Sequence, residues 1–298
     1  MKKIQYLIIT KSIGLYLNAL SYVNLEEAKN KAYQLFSQPR KGRIKKEKLP
    51  KTLQNVTYET FEYQTEKFQT YIWHGTRGDT SDSELAKQSE RSEANEEIIL
   101  LVHGWESNAS RWKKLLTHLK PLGKTIIAID APAHGLSEGT EFNAPKYAEY
   151  INVLTQKYQP KIVIGHSVGG AAISFYLNKY KNPTIEKVIL LGAPSDFKIL
   201  SDNFVKLLSL NDKVKTQLEN YYLEKFNIHI DDFSGHQFAK NFTQKAFIAH
   251  DTEDKVVLID EGRKYAKTWK EAIYIETTGL GHSMHDADLY QKIADFIE

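Results

Sequence analysis

The chain has 298 residues, 41% hydrophobic and 26% charged, with a formal charge of +3 and no cysteine. That composition excludes global disorder and fibrous repeats, and it rules out disulfides, thiolate metal sites and a cysteine nucleophile. The net charge is too small to argue for nucleic acid, and the longest apolar runs, such as Ile98 to Val102, are strand-sized rather than membrane-spanning.

Lys2 and Lys3 precede a short apolar run, Ile4 to Ile9, which imitates the start of a secretory signal. Gln5 and Lys11 interrupt it and no clear small-x-small cleavage site follows, so the segment reads as an N-terminal helix and the expected location is cytoplasmic. The helical pattern runs through residue 38 and stops at Pro39. Arg40 to Lys51 then sets seven basic residues around one acid, Glu47, a solvated connector in preference to a membrane or acidic-partner patch. Val56 to Tyr63 and Lys67 to Trp73 read as two strands of a hairpin, and the polar stretch from Gly75 to Glu97 as a mobile surface loop without chemistry.

From Ile98 the rhythm changes. Ile98 to Val102, Thr125 to Ile129, Lys161 to Ile164, Lys187 to Leu191, Lys245 to Ala249 and Ala272 to Glu276 are short apolar runs suited to strands buried on both faces. Helical patterns fall at Arg111 to Leu119, Pro145 to Tyr158, Val168 to Tyr180 and Ala287 to Ile297. This alternation predicts a doubly wound, mostly parallel α/β sheet, with the first two strands as an antiparallel edge. Between Asp196 and Thr243 two amphipathic helices replace a strand, with Phe197, Leu200, Phe204 and Leu208 at helical spacing, then Val214, Leu218, Tyr222 and Phe226. The expected division is therefore residues 1–50 as a helical arm and basic connector, 51–195 and 244–298 as the two parts of the core, and 196–243 as a helical cap or lid. If that cap covers a pocket, polar changes at Phe204 and Leu208 should alter substrate preference more than stability.

The sharpest local signal is Gly165-His166-Ser167-Val168-Gly169, the G-x-S-x-G pattern placed between a strand and a helix. A sharp turn there holds the serine in a strained conformation, and side chains two residues either way would collide, so both flanks are glycine. A neutral hydroxyl is a poor nucleophile and needs a base and an orienting acid. His282 follows the last strand on the loop Gly279-Leu280-Gly281-His282, and Asp254 follows the strand Lys245 to Ala249. Ser167, Asp254 and His282 each fall beyond the carboxyl end of a strand, the edge at which open α/β sheets hold ligands. Asp251 in the same loop, Asp196 after the preceding strand, and His285 are the alternatives for acid and base. The Val168 amide at the helix start and the Trp105 amide in His103-Gly104-Trp105 are the expected oxyanion-hole donors. His103 and His134 read as loop braces, and Asp130 as an organiser of the loop that follows it.

These residues, together with Asp130-Ala131-Pro132-Ala133-His134-Gly135-Leu136-Ser137, resemble the motifs of the α/β-hydrolase superfamily, of the lidded serine esterase and lipase kind, over residues 98–298. Ala133 departs from that pattern, since the family usually has glycine there, and the first 50 residues have no counterpart in its common core. The resemblance implies the α/β-hydrolase fold, a Ser-His-Asp mechanism without cofactor or metal, and a lid between strands six and seven. Relatives that dehalogenate or open epoxides carry aspartate at the elbow, so serine points to acyl transfer.

The expected activity is hydrolysis of a carboxylic ester with an apolar acyl group, the partner being that small-molecule substrate, with no nucleic acid and no stable membrane insertion. Amide or peptide hydrolysis with Glu219 or Glu224 reading an amine, thioester hydrolysis, and a hydrolase-like ligand sensor are the alternatives. The cluster His282, His285 and Asp286 lacks metal-binding helical spacing. The G-x-x-x-x-G-K-[ST] and G-x-G-x-x-G nucleotide motifs are absent from the sequence.

Overall fold

A computed structural model describes residues 2–75 and 97–298, with side chains from residue 5 onward; residues 76–96 of the expected 75–97 loop lie outside them. The strands are β1 (Thr57–Tyr63), β2 (Glu66–Trp73), β3 (Ile98–Val102), β4 (Thr125–Ile129), β5 (Ile162–His166), β6 (Lys187–Leu191), β7 (Lys245–Asp251) and β8 (Ala272–Thr277). In chain order the helices are α1 (Lys2–Val23), α2 (Leu25–Ser37), α3 (Lys113–Leu119), α4 (Ala144–Tyr158), α5 (Val168–Tyr180), α6 (Lys198–Leu208), α7 (Asp212–Phe226), α8 (Gly235–Ala239), α9 (Asp260–Thr268) and α10 (Ala287–Ile297). They form two compact units, one of Pro39–Ser195 with Gly235–Glu298, the other of Met1–Gln38 with Asp196–Ser234.

The first unit holds an eight-stranded sheet in the order β1-β2-β4-β3-β5-β6-β7-β8. β2 pairs antiparallel with β1 and β4, and every pairing from β4 to β8 is parallel. The doubly wound, mostly parallel sheet expected from the alternating pattern is thus present, with the hairpin as its antiparallel edge, as the resemblance to α/β-hydrolases implies. Strand side chains alternate between faces. Ile99, Leu101, Ile126, Ile164, Leu191 and Phe247 join one core with α3 and α10 residues such as Leu115, Leu289 and Ile293. Their neighbours Leu100, Ile127, Val163, Leu190 and Ile248 are buried as well, because α5 and α9 pack on the sheet from their own side. Strands buried on both faces read as continuous apolar runs, which is why the six runs were visible in sequence.

Local signals fix the helix starts. The side chains of Asn143 and Asp286 accept from the amides of Lys146 (2.7 Å) and Leu289 (2.8 Å), satisfying donors that the first helical turn leaves free. β5 runs two residues further than the apolar run, through His166, so Ser167 follows the strand with no intervening loop.

In the second unit Phe204 and Leu208 pack against the N-terminal helices. The apolar face of α6 is covered by the N-terminal helices: the Phe36 ring lies 5.2 Å from Phe204 and 6.0 Å from Tyr222, and Leu208 is buried. A Cβ added at Gly14 would stand 1.7 Å from the Leu208 carbonyl oxygen, so α1 and α6 touch backbone to backbone. Residues 1–38 and 196–234 therefore share one core, and α8, inside the expected 196–243 cap, belongs to the α/β unit. A single sequence carries the amphipathic period of each helix but not its partner.

Candidate active site

Ser167 occupies the turn between β5 and α5 with φ 54° and ψ −130°, a conformation costly for any residue with a Cβ. Its amide donates to the Leu191 carbonyl (2.9 Å), tying the turn to β6. The loop after β3 comes so close that a Cβ on Gly104 would stand 2.8 Å from Ser167 Cβ and 2.9 Å from the His166 carbonyl oxygen. Only glycine permits that approach, and it brings the chain bearing the Trp105 amide beside the serine. The Val168 amide lies at the first position of α5, where the helix supplies no acceptor.

The structure brings Ser167, His282 and Asp254 together. Ser167 Oγ lies 2.9 Å from His282 Nε2, and His282 Nδ1 lies 2.7 Å from Asp254 Oδ2. This arrangement suits a neutral imidazole that accepts from the hydroxyl and donates to the carboxylate. Asp254 Oδ1 accepts from the amides of Val256 (2.8 Å) and Val257 (3.0 Å), which aims the other oxygen at the histidine. Burial alone would raise this carboxyl, but hydrogen bonds from His250, His282 and the Val257 amide together hold it well below the usual carboxylate range.

The alternatives go elsewhere. Asp251 Oδ2 accepts from the Leu280 amide (3.0 Å) and the Thr277 hydroxyl (2.8 Å), bracing the start of the His282 loop. Asp196 accepts from the Ser234 hydroxyl at 2.6 Å. His285 Nδ1 pairs with the Tyr290 hydroxyl, and Asp286 caps α10, so neither joins His282 in a cluster. Among the described residues no group of three or more His, Asp or Glu side chains is arranged to hold a metal ion.

The surrounding loops are pinned by buried polar groups. His103 Nδ1 donates to the Gly104 carbonyl (2.8 Å) and its Nε2 accepts from the Ala131 amide (2.9 Å), with burial holding the imidazole well below its ordinary range. His134 likewise donates to the Pro132 carbonyl (2.8 Å) and accepts from the Glu106 amide (2.9 Å), and burial takes it down to about 4. Asp130, fully buried, accepts from the amides of Ala109 and Leu136 (2.9 Å each) and the Tyr71 hydroxyl (3.0 Å), yet burial pushes its carboxyl up to about 6. Both histidines thus act as the loop braces expected from sequence.

A family model described as the alpha/beta hydrolase fold matches residues 97–229. The bifunctional esterase/perhydrolase DCH of Acinetobacter calcoaceticus is 26% identical over 102 residues, 32% of this chain and 36% of that protein. The serine hydrolase-like protein of Homo sapiens is 30% identical over 117 residues, 37% of this chain and 56% of that protein. This chain thus spans well under two-thirds of either relative. The crystal structure of an esterase from Rhodococcus sp. ECU1013 aligns with TM-score 0.56 at 17% identity, covering 81% of this chain and 98% of that one, a likeness of fold.

The chain has the α/β-hydrolase fold.

Within this α/β-hydrolase fold, φ at Ala133 is 63°, the left-handed region in which glycine is at ease, which accounts for the glycine usual there. Three contacts to the constellation escaped sequence reasoning. His166 Nε2 donates to the His282 carbonyl (2.7 Å), and Arg111 Nη2 to the Ser283 carbonyl (2.9 Å), so the loop bearing His282 is held from two sides. His250 Nε2 donates to the Val257 carbonyl (2.8 Å) and lies 3.5 Å from Asp254 Oδ2, bracing the acid loop. His166 occupies a variable position of the elbow pattern, and nothing in one sequence distinguishes it from a packing residue.

Proposed function

We propose that the chain is a serine hydrolase that cleaves a carboxylic ester with an apolar acyl group. The observation that carries this reading is the continuous hydrogen-bond line from Ser167 Oγ through His282 to Asp254, with Ser167 on the strained turn. Ser167 attacks the acyl carbonyl carbon while His282 Nε2 takes its proton, and Asp254 holds the imidazole tautomer and stabilises the charge it gains. The carbonyl oxygen becomes an oxyanion, for which the Val168 and Trp105 amides are the proposed donors; one such donor is typically worth about 10²–10³ in turnover. The proton returns from His282 to the leaving alcohol, leaving an acyl-enzyme. His282 then takes a proton from water, whose oxygen attacks the acyl carbon, and the acid departs as Ser167 regains its hydrogen. No step calls for a cofactor.

The names of relatives with esterase and serine hydrolase descriptions support acyl transfer. Ester is favoured over peptide because Glu219, an acid that would read a substrate amine, already lies 3.2 Å from Lys198. The test is hydrolysis of p-nitrophenyl esters of increasing acyl length beside peptide anilides and acyl thioesters, with fluorophosphonate labelling of the native chain. Ester turnover with labelling is expected. Labelling without ester turnover moves the reading to amide or thioester, and no labelling removes it.

A further inference from the structure

Helix α1 is mounted with its least apolar side inward. Thr10, Gly14, Leu17 and Ser21 form its buried stripe, and the two hydroxyls are spent on carbonyls of their own helix. Gly14 gives the close approach to Leu208 described above. The bulky side chains face away from the protein: Leu7, Ile8, Ile9, Leu15, Tyr16 and Val23 are 53–88% exposed. Eight of the thirteen large exposed hydrophobics among the described residues lie on this one helix, so the exposure is concentrated there and not scattered as on an ordinary surface. At 3.6 residues per turn, Ile8, Ile9, Tyr16 and Val23 fall on the side opposite the buried stripe. A helix apolar nearly all round is normally buried, and this one buries only a narrow strip.

Charge identifies what complements the rest. Residues 1–25 contain no Asp or Glu but carry Lys2, Lys3 and Lys11. The Lys213 ammonium stands 4.1 Å from the Tyr22 ring, adding a cation at the far end of the helix. Helix α1 is itself net +3, with the Lys11 ammonium donating to the Lys206 carbonyl (3.2 Å) and the Ser209 hydroxyl (2.6 Å). A second copy docking on the same face would bring these like charges together. An anionic lipid surface would meet them with opposite charge and offer hydrocarbon to the isoleucines, while tyrosines are at home at the lipid–water boundary. No described helix is long and apolar enough to cross a membrane, so the arrangement that uses both the apolar side and the lysines is a helix lying in the interface plane.

We propose that α1 is an interfacial helix that seats this protein on an anionic phospholipid bilayer. The proposal is independent of the reaction at Ser167 and stands or falls separately from it.

The test is flotation of the full chain with vesicles of phosphatidylcholine alone and with 30 mol% phosphatidylserine, at low and high salt. Binding at least tenfold tighter to the anionic vesicles, and weakening as salt rises, is expected. Ile8→Glu with Ile9→Glu changes two exposed residues, so the melting temperature should hold while vesicle binding falls at least tenfold. Lys2→Glu with Lys3→Glu should remove the preference for anionic lipid and provides a second reading if the first variant folds poorly. Equal or absent binding to the two vesicle types overturns the proposal, as does undiminished binding by both variants. A lipid-free dimer that Ile8→Glu with Ile9→Glu converts to monomer, with no vesicle binding, assigns the face to a second copy instead. Fluorophosphonate labelling at Ser167 should be the same in every variant, which separates this outcome from the fate of the hydrolase reading.

Discussion

His166 Nε2 sits 2.7 Å from the main-chain carbonyl of His282, so the turn that presents Ser167 also grips the loop that presents its histidine. Burial keeps the His166 imidazole well below its ordinary range, so it is neutral and acts as a fixed donor. His166→Leu should lower kcat about tenfold with little change in KM, because the lost hydrogen bond lets His282 drift from near-attack geometry. His166→Gln, whose amide can reach as far, should recover much of the loss. Steady-state kinetics of both variants on one ester provide the check, and a purely structural role would lower melting temperature without the kcat difference between Gln and Leu.

Ser167 offers a chemical and a conformational test in one position. Ser167→Ala should abolish fluorophosphonate labelling and cut turnover by about 10⁶, the scale measured for loss of such a nucleophile. Its stability should stay within about 0.5 kcal/mol of native, since alanine keeps the strained φ. Ser167→Gly should be equally inactive but more stable by about 1 kcal/mol, because strain of this kind costs roughly 1–3 kcal/mol. Urea unfolding of the three proteins compares them directly.

The same backbone argument applies at Ala133, where φ is 63° and the side chain is buried. Ala133→Gly should raise stability by a few tenths to about 1 kcal/mol, the left-handed penalty of about 1–2 kcal/mol being partly offset by the greater freedom of glycine in the unfolded chain. Differential scanning calorimetry resolves a change of that size. A lower melting temperature would mean that the alanine methyl packs well enough to outweigh its strain.

Leu208 is buried and Phe204 half-buried against the N-terminal helices, so polar replacement of the pair should cost about 2–5 kcal/mol in the helical unit. Limited proteolysis and thermal melting should report local unfolding of residues 1–38 together with 196–234. If melting is unchanged while acyl-length preference shifts, the two residues serve the substrate instead.

Two buried carboxyls give opposite acid responses. Asp254 is held below its ordinary value, so the unfolded chain takes up that proton first as pH falls, and the stabilisation present at neutral pH is progressively lost below about pH 4. Asp130 is raised to about 6 by burial, so between about pH 4 and 6 the folded state holds a proton that the unfolded state has released, and stability falls as pH rises through that window. Asp130→Asn should remove this slope, and Asp254→Asn should flatten the loss at lower pH while reducing turnover by about 10⁴ through the wrong imidazole tautomer. Urea titrations from pH 3 to 7 distinguish the two.

Sequence alone determined the sheet and the places of the three central side chains. Strands buried on both faces must be continuously apolar, and a serine on a strand–helix turn must have small flanks, so Ile98 to Val102 and Gly165 to Gly169 carried their meaning in a few adjacent residues. The loops bearing Asp254 and His282 followed from strand order, because parallel strands put their carboxyl ends at one edge. Partnership was decided only by the tertiary structure. The period of α6 marks an apolar face but not what covers it, and it took the fold to bring Phe36 to Phe204 and Gly14 to Leu208 across 168 and 194 residues of chain. His166, Arg111 and His250 were silent in sequence for the same reason: each acts on a carbonyl or carboxylate that only folding brings within reach, and a hydrogen bond to a backbone atom leaves no pattern in side-chain identity. Nor could the outward mounting of α1 be read from composition, since an apolar helix looks the same in sequence whichever side it buries.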